Sequence, residues 1–272
     1  MSENFPDVLT KANAVLAELA AYTKLEDQYA FVECATFADV IKHKGWGDQA
    51  HWHFVDTPFL DGVDYDINPN EYNVTWEISE LTYALKYAKP EAADSFTDVS
   101  YALGDSMNLR LLIHYIGDVH QPLHATTRYT EDLPNGDRGG NSVHLAAHDD
   151  IKNLHALWDS VVTKYAGGDL TLPLSSDDWS TVGGYATEIR NNYPRTSFKT
   201  VGGKPADWAN ESFEISKTFV YDGVTDGGWV SDEYITKGQV IAEKRLALAG
   251  YRLADTLSTM WGGSWSEEEL LE

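Results

Sequence analysis

Residues 98–121 set Leu103, Met107, Leu111 and Tyr115 at helical spacing, and the stripe they share also carries His114 and Asp118. No other feature constrains the fold of this chain as tightly. Side chains at i and i+4 stand one turn apart on one helix face. If the apolar members face a core, an imidazole and a carboxylate go in with them. Burying an ionised carboxylate is costly unless it is paired or holds a metal. The pair therefore reads either as a buried hydrogen bond that orients the ring or as two metal ligands. The arrangement occurs again in His155 and Asp159, on the stripe Ile151, His155, Trp158, Val162. Two such pairs on different helices favour the ligand reading over a second structural hydrogen bond.

Pro122 follows the first pair. It has no N–H, so the carbonyl of Asp118 loses its helical partner, and Gln121 is pushed away from helical geometry. The helix should end or kink just past Asp118 and turn His124 toward the same pocket; plain termination is the other reading. Periodicity predicts further helices over 7–21, 25–43, 72–89, 149–166, 178–192, 205–221 and 231–261. Residues 56–72 read as a loop. Residues 128–147 hold turn signals at Pro134-Asn135-Gly136 and Gly139-Gly140, then a short extended stretch. With few strand signals, no repeat and no linker, the expectation is a mainly α fold with few or no short strands, one domain over residues 1–272.

Composition narrows the function. The 272 residues are 43% hydrophobic and 12% aromatic, which excludes a disordered chain. No apolar run is long enough for a membrane-spanning helix. Lys and Arg number 20 against 43 Asp and Glu, a net charge of −23, which argues against a basic groove for duplex nucleic acid. Phosphate chemistry stays open, because bound cations can supply positive charge locally. The single cysteine, Cys34, can form neither an internal disulfide nor a thiolate zinc finger, so a metal site must use His and carboxylate. The opening residues, Met1 to Pro6, do not read as a signal peptide.

All nine histidines lie between positions 43 and 155. Upstream of the paired helices, Asp39 falls late in the apolar 25–43 segment. His51 and His53 would share one face if their segment is extended, and the residues alone do not choose between them.

Taken together, these segments resemble the zinc-dependent single-strand-specific nucleases of fungi and plants, whose fold is shared with bacterial zinc phospholipase C. The matching strings are Ala38-Asp39, His53-Phe54-Val55-Asp56, His114-Tyr-Ile-Gly-Asp118-Val-His-Gln-Pro-Leu-His124, Gly136-Asp-Arg-Gly-Gly-Asn141 and Asn153-Leu-His-Ala-Leu-Trp-Asp159. Weaker ones follow at Trp208-Ala-Asn-Glu-Ser212 and Ala249-Gly-Tyr-Arg-Leu-Ala254. The resemblance implies that Asp39, His53, His114 and Asp118 hold one Zn2+ and that His124, His155 and Asp159 hold a second. It leaves His120, His144 and His148 as supporting or surface residues. Such donors suit zinc, which keeps an open position in catalytic sites. In the family a third zinc is held by an N-terminal Trp and an early His, with Asp118 as bridge. This chain has no Trp before Trp46 and no His before His43. The resemblance therefore leads us to expect either a missing upstream segment or a divergent, reduced site. The missing segment is favoured, because the other ligands are complete, and the 272-residue form is then expected to be folded but nearly inactive.

The activity implied by the resemblance is hydrolysis of single-stranded DNA or RNA to 5′-phosphorylated products, with 3′-nucleotides as further substrates. Closely spaced zincs would activate water and offset charge on the departing oxygen. Phe54 would stack on an exposed base, or else pack in the core. Asp56 would meet a base edge and Asn141 would bind substrate. Lys42 would serve catalysis near the phosphate, or else be a solvated amine. A zinc phospholipase C is the alternative enzyme, although the acidic segment Ser266–Glu272 would be repelled by anionic lipid. A non-catalytic, zinc-stabilised helical module is the alternative of another class. The resemblance further implies a monomer that is secreted or sent to a lytic compartment. Asn73-Val-Thr75 and Asn210-Glu-Ser212 would then be glycosylation sites.

Overall fold

The apolar segment around residue 110 becomes helix α4, Ser95–Asp118, in the computed structural model, which describes residues 6–20, 31–87, 95–148, 151–165 and 170–261. Leu109, Leu112, Tyr115 and Ile116 are all enclosed, so this end of α4 is buried nearly all round. Packed against it are α1 (Pro6–Ala20), α2 (Phe37–His43), α3 (Val74–Tyr87) and α8 (Asp232–Trp261). Arg110 is fully buried within α4. Its guanidinium donates to the Leu16 carbonyl at 2.9 Å and to Ser106 Oγ at 2.6 Å, which ties α4 to α1. Asn73 starts α3 by accepting from Thr75 N at 2.9 Å and Thr75 Oγ1 at 2.8 Å, a side-chain cap on free N–H groups.

Glu77 on α3 is buried, and burial, with the charge of Glu80 added, pushes its carboxyl up to about 7. A raised carboxyl costs nothing where both states are protonated. Its cost appears as pH rises past the ordinary 4.5 and is complete above about 7. Glu77→Gln is therefore expected to raise the melting temperature at pH 8 and to leave it unchanged at pH 4. Equal shifts at both pH values would show that the carboxyl is not the cause.

Two predicted helices differ in the structure. For the segment predicted over 25–43, residues 25–30 lie outside the described residues. The rest is a 3-10 turn at Glu33–Thr36 followed by the seven-residue α2, so Asp39 sits in the first turn of a short helix rather than late in a long one. The helix predicted over 149–166 shrinks to α5, Leu154–Asp159. Residues 149, 150 and 166 lie outside the described residues. Ile151–Asn153 instead form strand β4, antiparallel to β3, His144–His148. Asn153 caps α5 by accepting from Ala156 N at 2.8 Å. Beyond it Val161, Val162 and Thr163 take positive φ of 54°, 51° and 64°. The reversal lets Val162 N bond the Leu157 carbonyl and buries Val162 completely.

Helices α6 (Ser176–Asn192) and α7 (Pro205–Ile215) agree with the periodicity to within a few residues, and α7 continues as a π-helical turn over Ser216–Val220. The remaining strands are two short ones, β1 (Pro58–Leu60) and β2 (Thr127–Tyr129), paired in parallel with Pro58 opposite Thr127. One buried cluster surrounds α4. A second gathers Leu154, Leu157, Trp158, Val162, Val220 and Tyr234. Helix α8 contributes to both, and His124 stands between Leu123 of the second cluster and Ala125 of the first. No described helix is long and apolar enough to cross a membrane. The terminal segment 266–272 lies outside the described residues.

Candidate metal centre

The centre begins where α4 stops. Asp118 is its last residue, and Gln121 takes an extended conformation ahead of Pro122. The chain then makes a 3-10 turn over Pro122–Ala125, which delivers His124. Val55 N bonds the His124 carbonyl at 2.8 Å, so the stretch after His53 runs directly beside this turn. His51 and His53 do not share a face. Residues 47–53 form a 3-10 helix, which places residues two apart on different sides. His53 is buried and His51 is exposed.

Seven side chains converge in two groups. Asp39, His53 and His114 form the first, and His124, His155 and Asp159 the second. Asp118 lies between them. Its Oδ2 is 2.9 Å from His53 Nδ1 and 3.1 Å from His114 Nε2, and its Oδ1 is 3.6 Å from His124 Nδ1. Asp39 completes the first group at 3.9 Å from His53 Nδ1 and 3.7 Å from His114 Nε2. Asp159 faces both His124 Nε2 and His155 Nε2 at 3.4 Å. Four ligands about 2.0–2.1 Å from a zinc ion sit roughly 3.3 Å from one another at the corners of a tetrahedron. The observed spacings bracket that value.

Hydrogen bonding at the back of the rings explains what the centre requires. His114 donates Nδ1–H to the Ala35 carbonyl at 2.5 Å, His124 to the His53 carbonyl at 2.9 Å and His155 to the Gly139 carbonyl at 2.7 Å. A carbonyl only accepts, so these bonds fix each tautomer and leave the Nε2 lone pair pointing at a carboxylate. Lone pair facing anion is repulsive unless a cation, a proton or a metal, lies between. His53 differs, with Nδ1 toward Asp118 and its buried Nε2 without a hydrogen-bond partner.

The protonation equilibria carry the same demand. Burial alone would push the Asp118 carboxyl up, but the charges of His114 and His124 hold it far below the usual range. Burial pulls His124 down, yet Asp118 and Asp159 push it up to about 9. His114 is likewise raised, with burial opposed by Asp118 and then Asp39. These donors fit a divalent cation: each group offers two imidazoles and a carboxylate, with Asp118 between them.

A cleft of about 780 Å3 opens over both groups, lined among others by Lys42, His51, Phe54, Asp56, Tyr129 and Arg138. Lys42 Nζ is 2.6 Å from Asp39 Oδ1, so it is neither a free solvated amine nor yet available to a phosphate. Phe54 is half-buried on the cleft wall, edge-on to His51 at 6.0 Å. Asp56 accepts from Thr127 Oγ1 at 2.5 Å. Asn141 donates to the Arg138 carbonyl at 2.9 Å and also lines the cleft. His120 is not a surface residue. It is fully enclosed behind α4, donating to the Ile116 carbonyl at 2.7 Å and facing Arg252. His144 is exposed and pairs with Asp226. Sequence reasoning weighed His51 only as an alternative to His53 and missed Tyr129 and Arg138 as lining residues, because a single side chain outside a periodic stripe carries no pattern. The Gly139-Gly140 pair did mark the loop. A Cβ on Gly139 would stand 2.5 Å from the Leu123 carbonyl, and that close approach puts its own carbonyl on His155.

Comparison with known proteins gives a concordant picture. The model of the S1/P1 nuclease family matches residues 6–262. Endonuclease 4 of Arabidopsis thaliana is 30% identical over 267 residues, covering 89% of this chain and 82% of its own length. Endonuclease 3 of the same plant is 28% identical, covering 84% and 75%. Nuclease S1 of Aspergillus oryzae is 27% identical over 238 residues, covering 81% and 75%.

Proposed function

Because the chain belongs to the S1/P1 nuclease family, a family of metal-dependent phosphodiester hydrolases, we propose that it is a zinc-dependent endonuclease of single-stranded DNA or RNA that works in the cleft over its two histidine–carboxylate groups. The carrying observation is the set of three imidazoles anchored by Nδ1 to backbone carbonyls, with Nε2 turned onto carboxylates. Asp39, His53, His114 and Asp118 would hold one zinc, and His124, His155 and Asp159 a second. Bound zinc supplies Lewis acidity toward phosphoryl oxygens and lowers the pKa of water.

The chain's own residues do the rest. Asp118 joins the two groups and keeps them a fixed distance apart. Gln121 donates to Asp159 Oδ1 at 2.8 Å and holds that carboxylate toward His124. Lys42 exchanges its Asp39 partner for a phosphate oxygen, and Asn141, which also lines the cleft, offers its amide. Phe54 presents a ring on which an unpaired base stacks, a contact that a base inside a duplex cannot make. The products would be 5′-phosphorylated, and a 3′-nucleotide fits the same cleft. With −23 overall, attraction for phosphate is confined to the cleft. We further read the protein as a one-domain monomer of a secreted or lytic compartment. Asn210, exposed on α7, is the sequon open to glycosylation, whereas the Asn73 side chain is engaged in capping α3.

Elemental analysis after zinc supplementation is expected to find two zincs per chain. Chelation should abolish cleavage of single-stranded DNA and lower the melting temperature, and added zinc should restore both. Less than one zinc per chain, or duplex DNA cut as fast as single strands, would sink this reading.

A further inference from the structure

Arg138 is the cleft-lining cation that the metal-centre reading leaves unused. Of the two cations on the cleft wall, Lys42 is tied to Asp39 at 2.6 Å. Arg138 makes no ion pair among the described residues and is exposed to the cleft. In a chain carrying −23, with Asp39, Asp56, Asp118 and Asp159 lining the same cavity, a guanidinium without a carboxylate partner is conspicuous.

Its backbone is held on both sides. Asp137 is fully buried, accepting from Arg128 N at 2.9 Å and from Tyr221 Oη at 2.8 Å. Gly139 is wedged against the Leu123 carbonyl and gives its own carbonyl to His155. Arg138 between them has φ of 59°, a left-handed conformation uncommon outside glycine. The side chain therefore leaves from a fixed point one residue away from the group that orients His155, on the side of the second metal group.

We propose that Arg138 binds the phosphate adjacent to the scissile one, so that the cleft takes a single-stranded polynucleotide in preference to a mononucleotide. The proposal rests on the nuclease reading and deepens it. A mononucleotide has one phosphate, which belongs to the metal groups. A strand has a neighbouring phosphate that a guanidinium can grip bidentately.

The test measures binding and hydrolysis separately. Arg138→Asn removes the charge with a residue that tolerates left-handed backbone, so the loop is kept. Arg138→Lys keeps the charge without the fork. The binding probes are a phosphorothioate oligothymidylate that resists hydrolysis and a thymidine 3′-monophosphate. Affinity of Arg138→Asn for the oligonucleotide is expected to fall about tenfold, with a far smaller change for the mononucleotide. The salt dependence of oligonucleotide binding should lose a slope of about 0.7, and Arg138→Lys should recover that slope. An unchanged slope, or equal losses on the two probes, would overturn the proposal. Wild-type protein that shows the Arg138-dependent slope but cleaves no strand would leave this inference standing and overturn the nuclease reading instead.

Discussion

Asp118→Asn is expected to slow hydrolysis of single-stranded DNA by roughly three orders of magnitude or more while the protein stays folded. The carboxylate lies between the two groups, with one oxygen 2.9 Å from His53 and 3.1 Å from His114 and the other 3.6 Å from His124 Nδ1. Asparagine keeps the volume but offers a neutral, weaker donor to a cation, so both groups should lose zinc together. The fold survives because the imidazoles can respond. His114 and His124 owe their raised affinity for protons to Asp118 in large part, and without its charge they become neutral rather than remain buried and unbalanced. The control is Asp226→Asn, the same chemical change at an exposed carboxylate that pairs with His144, outside the two groups. Initial rates and bound zinc are the measurements. If the two variants lose activity alike, Asp118 does not join the groups. His120→Gln would be a poor control despite its place two residues away, since His120 is locked behind the helix by buried arginines.

Much of this site was legible because helical periodicity locates ligands one turn apart. The pairs His114/Asp118 and His155/Asp159 announce themselves as polar residues on apolar stripes, and Pro122 announces the turn that brings in His124. The helix ends at Asp118, as the missing N–H of Pro122 predicts. Periodicity failed where tertiary pairing decides. Residues 151–153 carry a helical pattern but pair as a strand with His144–His148, and the capping side chain of Asn153 starts the helix five residues late, at Leu154. The left-handed run at Val161–Thr163 has no sequence signal, since valine and threonine disfavour it. It persists because burying Val162 and accepting from Gln239 Nε2 at 3.0 Å offset the local cost. His53 over His51 was equally illegible from the residues alone. The choice depends on a 3-10 helix over 47–53, whose three-residue period puts His53, and not His51, toward Asp118. The backbone carbonyls of Ala35, His53 and Gly139 leave no trace in a side-chain pattern, yet they orient three of the four rings.

Glu211→Ala is expected to destabilise the protein by about 3–5 kcal/mol, a fall of about 10 °C in melting temperature. Glu211 on α7 accepts from Arg245 Nη1 and Arg252 Nη1 through one oxygen and from Arg252 Nη2 through the other, all at 2.7 Å. Both guanidinium groups come from α8, and both are buried. Arg245 also donates to the His120 carbonyl at 3.1 Å and to Ser212 Oγ at 2.8 Å, and Ser212 in turn donates to the Val119 carbonyl at 2.6 Å. Arg252 donates to His120 Nε2 at 2.9 Å. This is the work of the Trp208–Ser212 motif. It clamps the turn that leaves Asp118 and leads to His124. Burial, reinforced by the two arginine charges, drives His120 far below its ordinary pKa, so it stays neutral and can accept. Glu211 itself is 37% exposed, and water screens part of its charge. Its partners have no such relief, and without it two like charges face each other in an enclosed space. Glu211→Gln, which retains an acceptor but no charge, should lose less than the alanine variant. A loss below about 1 kcal/mol for alanine, the scale of a surface pair, would mean that the arginines find another counter-charge. The clamp would then be a weaker support for the metal centre than its geometry implies.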